Sequence, residues 1–371
     1  YIDPEKRALF GRTAERSHEM WSRLASQRGV PWKEIGTLMV ATEEAQVATL
    51  ERYMEWAPKN GLAEGECELL DGPKVQEIES SVSCRGAILS NRDASTDFAA
   101  LTKEAWAMAA ENGAKCLCGA EVGGIEQREG GFEITIKGGR SLSCSLLVNT
   151  AGGRSLDIAH RMGLAEGYTD LHFRGEYWEV GAGAPQVRRS VYSVARHEKF
   201  PFLDPHFVVR ADGRREVGPN ATLVSGPEVY EGVGSATGVA SKIFERPLGP
   251  KARLFTNGEF LSLVWGEWRS SVSKRAMCQR VRRFMPSLDP DMLVRHGLAG
   301  VRSSLIGSEG FVPEALIERG TNSLHVLNYN SPGATGAPAF SAYLVGELKR
   351  EGDLDGYRPK GRKHQIWDAD T

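Results

Sequence analysis

LHVLNYNSPGATGAPAFSAYLVGEL, Leu324 to Leu348, is the stretch on which the fold reading turns. Its apolar start, Leu324, Val326 and Leu327, has strand character and breaks into small and turn residues at Ser331, Pro332, Gly333, Ala334, Thr335 and Gly336. Apolar positions at helical spacing follow, at Phe340, Tyr343, Leu344 and Leu348. The order is strand, tight turn, helix. Small residues let backbone approach something flat, and the unpaired N–H groups of a helix start favour a partly negative ligand atom. Nucleotide phosphates, substrate carboxylates and a reduced flavin ring share that character, and an ordinary strand-to-helix turn packed on a sheet has the same sequence.

A second stretch of this kind lies far upstream. In SLSCSLLVNTAGG, Ser141 to Gly153, a nearly continuous apolar strand over Leu142 to Thr150 ends at Thr150, Ala151, Gly152 and Gly153, and a helix follows from Arg154 to Met162. Doubly wound folds present backbone to a nucleotide in this way, at the carboxyl end of a buried strand. The pair of stretches predicts one ligand site supplied by two distant parts of the chain.

The remaining composition narrows the class. A chain of 371 residues, 41% hydrophobic and 25% charged, buries a large core and predicts two domains. A formal net charge of -2 creates no long-range field for nucleic acid, and no apolar run approaches the about 18 residues that span a membrane. Six cysteines, of which Cys116 and Cys118 alone lie close together, give no zinc spacing and point to a reducing compartment. No metal is expected. The chain starts at Tyr1, with no methionine, signal peptide or basic amphipathic leader, which predicts a processed chain or a fragment.

Periodicity predicts a helix-rich opening: Glu5–Gln27, ended by Gly29 and Pro31, then Glu43–Trp56, a turn of helix at Lys74–Glu79, and a helix capped by Asp97 that runs to Gly113, with a short strand at Ile35–Ala41. Strands are predicted at Lys115–Ile125 and Phe132–Lys137 around a Gly130-Gly131 turn. The middle of the chain reads as an antiparallel sheet with short strands at Glu176–Val180, Ser190–Val194, Phe207–Arg210 and Glu216–Gly218. Leu261 to Phe284 reads as helical with a basic, solvated face, and Val294–Arg302 and Phe311–Glu318 as strands.

Taken in order, VNTAGG, YSVARHEKFPFLDPHFVVRADG, EVGPNA, GVRSS and HVLNYNSPGAT resemble the FAD-dependent L-2-hydroxyglutarate oxidase/dehydrogenase group of the D-amino-acid oxidase-like superfamily, over nearly the whole chain. The resemblance implies an α/β (α+β) architecture: a Rossmann-like FAD-binding domain interrupted by an antiparallel-sheet substrate domain. The expected division is 1–165 and 301–371 for FAD and 166–300 for substrate. It further implies FAD contacts from Val122, from Thr150, Ala151 and Gly152, and from the turn Ser331, Pro332, Gly333, Ala334 and Thr335. The chain departs from the family at Tyr192, Ser193, Val194 and Ala195, where YPVP is usual, and at Leu203, Asp204, Pro205 and His206, where LGVH is usual. The family also opens with a strand, a GxGxxG turn, a helix and an acidic ribose ligand. None precedes Tyr1, so the expectation is an N-terminally incomplete FAD-binding domain that cannot hold FAD tightly by itself.

The implied chemistry is oxidation of an L-2-hydroxy acid such as L-2-hydroxyglutarate to the 2-oxo acid, by hydride transfer to flavin and loss of the hydroxyl proton to a base. Arg302 is the candidate carboxylate clamp, since a guanidinium matches a carboxylate through two parallel hydrogen bonds; a surface salt bridge explains it too. His206 is the candidate base, against a satisfied structural histidine. Tyr192 orients substrate or bonds backbone. The other readings are an amino-acid oxidase acting on glycine or sarcosine, for which the fold and Arg302 serve unchanged, and an inactive truncated remnant. Expected partners are the small 2-hydroxy acid and an electron acceptor, oxygen, a quinone or a carrier protein. The expected location is cytoplasmic, with peripheral attachment to an inner membrane as the alternative.

Overall fold

A computed structural model describes residues 2–181, 183–196, 200 and 204–357; positions 197–199 and 201–203, Leu203 among them, lie outside the described residues. The first part of the chain forms α1 (Ala8–Arg28), β1 (Trp32–Glu34), β2 (Thr37–Ala41), α2 (Val47–Trp56), β3 (Cys67–Asp71), α3 (Gly72–Ile78), β4 (Gly86–Ser90), β5 (Ala94–Thr96) and α4 (Phe98–Glu111). Next come β6 (Val122–Arg128), β7 (Gly131–Ile136), β8 (Arg140–Cys144), β9 (Leu147–Asn149), α5 (Ser155–Arg161), β10 (Thr169–Val180), β11 (Ser190–Ser193), β12 (His206–Val209), β13 (Arg215–Gly218) and β14 (Thr222–Val224). Helices α6 (Ala236–Ile243), α7 (Leu248–Phe255), α8 (Gly258–Val272) and α9 (Lys274–Val281) precede β15 (Leu293–Gly307), β16 (Gly310–Phe311), β17 (Leu316–Gly320), β18 (Ser323–Leu327) and α10 (Gly333–Arg350). The fold is mixed α/β. Among the described residues no helix is long and apolar enough to cross a membrane.

Two compact units divide the chain. The first takes the chain up to Gly11, Pro31–Thr96 and Tyr168–Pro313; the second takes Arg12–Val30, Asp97–Gly167 and the chain from Glu314 onward. The first is built on a long mixed sheet ordered β16-β15-β10-β13-β12-β11-β2-β4-β3, with β14 also beside β10. β11 and β2 run parallel. Trp178, Val191, Phe207 and Val217 bury on one face against Met277, Cys278, Val281 and Phe284. Each such side chain stabilises the unit by about 1.5–3 kcal/mol relative to exposure.

β10 is longer than the sequence predicts. It starts at Thr169 rather than Glu176, because its polar residues are all partnered: Asp170 with Lys242 at 2.5 Å, the His172 ring with Ser303 Oγ at 2.8 Å, and Arg174 with Glu176 at 3.0 Å. The basic helical stretch also differs. Ser273 adopts an extended conformation, separates α8 from α9 and caps the latter through Ala276 N–H. Arg280 reaches buried Glu267 at 2.6 Å and Asp204 at 3.4 Å, and Arg283 reaches Asp204 at 3.8 Å, so these two face carboxylates rather than solvent.

In the second unit β6, β7 and β8 form an antiparallel sheet, while β9 pairs parallel with β18, which pairs antiparallel with β17. The predicted continuous strand Leu142–Thr150 is therefore two strands in two sheets. Leu147 N–H donates to Asn322 carbonyl at 3.1 Å, which moves the chain from one sheet to the other. The predicted strand Lys115–Ile125 begins only at Val122, since Leu117 and its neighbours are exposed and have no ladder. Likewise Phe311–Glu318 splits into β16 and β17. Asp97 does cap α4, accepting from Ala99 and Ala100 N–H at 2.9 and 3.0 Å.

α10 contains Pro338, whose missing N–H leaves the Ala334 carbonyl without its helical donor. Trp21 of α1 supplies that donor: its indole Nε1–H is shared between the Ala334 and Thr335 carbonyls, each at 3.0 Å. Ser17 Oγ accepts from Ala339 N–H at 3.0 Å, completing the splice. Trp21→Phe retains the ring packing and removes the donor, so the denaturant midpoint is expected to fall by the equivalent of about 1–3 kcal/mol. An unchanged midpoint would show that the shared bond contributes nothing net.

Candidate functional site

In the first unit Tyr177, Tyr192 and His206 alternate with the core residues Trp178, Val191 and Phe207, so they point to the opposite sheet face. The rings of Tyr192 and His206 stack at 4.1 Å, and Tyr177 meets the imidazole edge-on at 6.0 Å. His206 is 2% exposed. Its Nδ1 lies 3.1 Å from the Asp204 carbonyl, which accepts only from Nδ1–H, and this fixes the tautomer that leaves Nε2 with a lone pair. Tyr177 Oη stands 3.3 Å from that Nε2 and donates to it. Burial pushes the imidazole down to about 4; the Asp204 contact opposes this, and the charges of Arg210 and Arg302 add to it. The ring is neutral at physiological pH.

Arg302 sits on β15 opposite Phe173 of β10. The register is regular from Phe173 through Gly175, which puts Arg302 on the Tyr177 side of the sheet by alternation. Phe173 and Phe311 rings lie 6.2 Å apart, and Phe200 is edge-on to Phe311 at 6.5 Å, an apolar cluster that starts at the cross-strand partner of Arg302. Arg210 lies with its guanidinium carbon 4.9 Å from the Tyr177 ring centroid and donates from Nε to buried Glu216 at 2.7 Å. Thus His206, Tyr192 and Arg302 share one face of one sheet. Sequence reasoning missed Tyr177, although it falls on the same face by strand parity. It also missed the anchoring role of Asp204, which lies two residues before His206; its carboxylate accepts from Arg196 N–H at 3.0 Å and pairs with Arg280 and Arg283.

The second unit holds the other named residues. β9 ends at buried Asn149, whose Nδ2 donates to the Ser155 carbonyl at 2.9 Å and to His325 Nδ1 at 3.0 Å, while its Oδ1 accepts from Ala151 N–H at 3.2 Å. This bracket holds Thr150, Ala151 and Gly152 as an exposed turn, with Gly152 at φ +57°. His325 Nε2–H in turn donates to Ser323 Oγ at 3.2 Å, and burial lowers the His325 pKa, keeping that ring neutral. Ser331 and Pro332 lead into α10, so Gly333, Ala334 and Thr335 form its first turn instead of the loop before it. The N-cap residue, Pro332, supplies no side-chain cap. A Cβ on Gly336 would stand 2.7 Å from Tyr329 Oη and 3.0 Å from Thr13 Oγ1, so the helix seats against α1 only with glycine there. Val122 opens β6, next to Gly123, whose carbonyl accepts from Arg161 of α5 at 3.4 Å.

These residues fit part of a flavin dinucleotide. The first turn of an 18-residue helix offers N–H groups and a positive dipole end to an electron-rich ring edge, and the 150–152 turn offers exposed backbone. Among the described residues β9 has β18 as its one strand neighbour, and Val148 is exposed.

The family model described as FAD dependent oxidoreductase matches residues 1–348. The L-2-hydroxyglutarate dehydrogenase of Escherichia coli strain K12 is 24% identical over 324 residues, covering 87% of this chain and 75% of the relative. The mitochondrial L-2-hydroxyglutarate dehydrogenase of Homo sapiens is 27% identical over 385 residues, covering 95% and 78%. Among solved structures, the FAD-bound L-α-glycerophosphate oxidase of Mycoplasma pneumoniae superposes with a TM-score of 0.64 at 18% identity, covering 91% of this chain and 79% of that one. Glycine oxidase from Geobacillus kaustophilus superposes with a TM-score of 0.62 at 18% identity, covering 95% and 82%. These two likenesses show the fold.

Proposed function

The chain belongs to the FAD-dependent oxidoreductase family, and from that premise we propose that it oxidises an L-2-hydroxy acid of the L-2-hydroxyglutarate type to the 2-oxo acid. The observation that carries the reading is the neutral, buried His206, with its Nε2 lone pair fixed by the Asp204 carbonyl and the Arg302 charge felt at its ring. When bound, FAD supplies the two-electron acceptor for the α-carbon. Arg302 pairs with the substrate carboxylate through two parallel hydrogen bonds and fixes the orientation of the α-carbon. The substrate hydroxyl takes the place of Tyr177 Oη at His206 Nε2, which then receives the hydroxyl proton. Phe173, Phe200 and Phe311 keep water from the guanidinium–carboxylate pair and so strengthen it. Thr150, Ala151, Gly152, Val122 and the 331–335 turn hold the cofactor in the second unit.

The curated relatives support a hydroxy acid over an amine, and the chemistry of His206 agrees with them. A hydroxyl must lose its proton for the oxidised product to be a carbonyl, whereas a free amine ends as a stable iminium cation and needs no such base. The test is anaerobic mixing of the chain, supplied with excess FAD, with L-2-hydroxyglutarate, other L-2-hydroxy acids, glycine, sarcosine and L-proline. Bleaching of the oxidised flavin by the hydroxy acids alone is the expected outcome. Bleaching by the amino acids alone would overturn the proposal.

A further inference from the structure

Arg210 stands on the His206 face with a charge that the oxidation step itself does not call for. It directly follows β12, four residues beyond His206 and on the same side of the strand by parity. Its guanidinium carbon lies 4.9 Å from the Tyr177 ring centroid, and Tyr177 Oη lies 3.3 Å from His206 Nε2, so one aromatic ring separates this cation from the base. The β13 residue beside both Tyr177 and His206 is Gly218, so no side chain intrudes from the strand between them. Glu216 explains why Arg210 holds its position. That carboxylate is fully buried and has to be paired. Arg210 approaches it with Nε at 2.7 Å and with Nη2, which leaves Nη1 with no hydrogen-bond partner among the described residues. The side chain is 33% exposed and Nη1 is not among the buried polar atoms, so this nitrogen is open to a ligand while the rest of the guanidinium is already ordered.

Arg302 and Arg210 lie on opposite sides of the base. Arg302 is level with Phe173, four residues before Tyr177 on β10. β12 runs in the same direction as β10, since both are antiparallel to β13, and it carries Arg210 four residues past His206. Both charges are felt at the His206 ring. A substrate with its carboxylate on Arg302 and its 2-hydroxyl on His206 Nε2 therefore extends the rest of its chain toward Arg210. In a five-carbon diacid the second carboxylate is three carbon–carbon bonds from the hydroxyl-bearing carbon, about 4 Å when extended, and it brings a charged acceptor to Nη1 where a hydrocarbon tail would bring none. We propose that Arg210 anchors a second, distal carboxylate, which makes the preferred substrate a 2-hydroxy dicarboxylic acid. This rests on the hydroxy-acid reading above and adds the residue that selects among hydroxy acids.

The test uses the full chain supplied with excess FAD, without oxygen, and two probes of equal chain length: L-2-hydroxyglutarate, and L-2-hydroxypentanoate, which has a methyl group in place of the distal carboxylate. The second-order rate constant of flavin reduction is expected to favour the diacid by roughly thirtyfold or more, the effect of a charge-assisted hydrogen bond. Arg210→Gln is expected to remove most of that preference. Arg302→Lys, at the carboxylate that both probes share, slows both and keeps the ratio. Because Arg210→Gln leaves Glu216 without its cation, the pair Arg210→Gln with Glu216→Gln is the second variant, which puts two amides in place of the two charges. A readout without turnover accompanies these: glutarate is expected to raise the melting temperature of the wild type more than pentanoate does at the same concentration, and to lose that advantage in both Arg210 variants. Equal rates with the two probes in the wild type overturn the proposal, as does an unchanged ratio in both Arg210 variants. If neither probe reduces the flavin, the hydroxy-acid reading falls by itself, and equal shifts with glutarate and pentanoate then overturn the distal anchor.

Discussion

His206→Asn is expected to lower kcat by roughly a hundredfold or more, the usual contribution of a positioned general base. Asparagine retains a polar group of similar reach and removes the titrating nitrogen. In the free protein burial and the Arg210 and Arg302 charges depress His206 to about 4, so the acidic limb of kcat/KM is expected near that pH rather than near 6.5. A bound substrate carboxylate adds negative charge beside the ring and favours its protonated form, so the limb of kcat lies higher than that of kcat/KM. The variant has neither limb. A variant with normal rate and an unaltered limb would leave His206 a structural residue.

The same burial makes a stability prediction with a definite sign. The folded chain declines the His206 proton until about pH 4, whereas the unfolded chain takes it near 6.5. Between those values the unfolded state binds more protons, so the stability present above pH 6.5 is lost as the pH falls toward 4. Thermal unfolding of His206→Asn across that window is expected to have a shallower slope.

Arg302→Lys keeps the charge and loses the planar fork, so transition-state binding is expected to weaken by about 1.5–3 kcal/mol, roughly ten- to a hundredfold in kcat/KM. The loss is specific to the carboxylate. With a primary alcohol that lacks it, wild type and variant should be equally poor, whereas a general disturbance of the sheet would slow both substrates alike. The two predictions are also coupled. Removing the guanidinium with Arg302→Met removes a charge that depresses His206, so the kcat/KM limb of that variant should move up. Unchanged kcat/KM in Arg302→Lys would end the clamp assignment.

The strand, turn and helix of 324–348 are legible because apolar period and small residues fall in one continuous segment. So is the turn after Asn149, whose small residues follow the strand directly. The first half of β10 is not. Asp170, His172 and Arg174 read as a polar loop until Lys242, Ser303 and Glu176 are found beside them, and two of those partners are distant in the chain. The Leu142–Thr150 run reads as one strand because hydrophobicity does not record that its two halves pair in different sheets. Tyr177 meets His206 although β13 lies between their strands, a neighbour relation set by sheet order. Asp204 has the same limitation, since nothing near it in sequence announces Arg280 and Arg283.

The indole that serves two carbonyls of α10 ties together positions that would otherwise drift independently. In a descendant where any residue but proline stands at position 338, a backbone donor returns to the Ala334 carbonyl and the indole at 21 is left serving Thr335, whose own helical donor, Ala339 N–H, goes to Ser17 Oγ. Where the proline persists, losing that tryptophan first strands both carbonyls. Change is therefore ordered: position 338 is released before position 21, and the reverse sequence passes through the weaker intermediate. The first turn of α10 is held in place by a residue near the other end of the chain, so its substitution history is written at both ends at once.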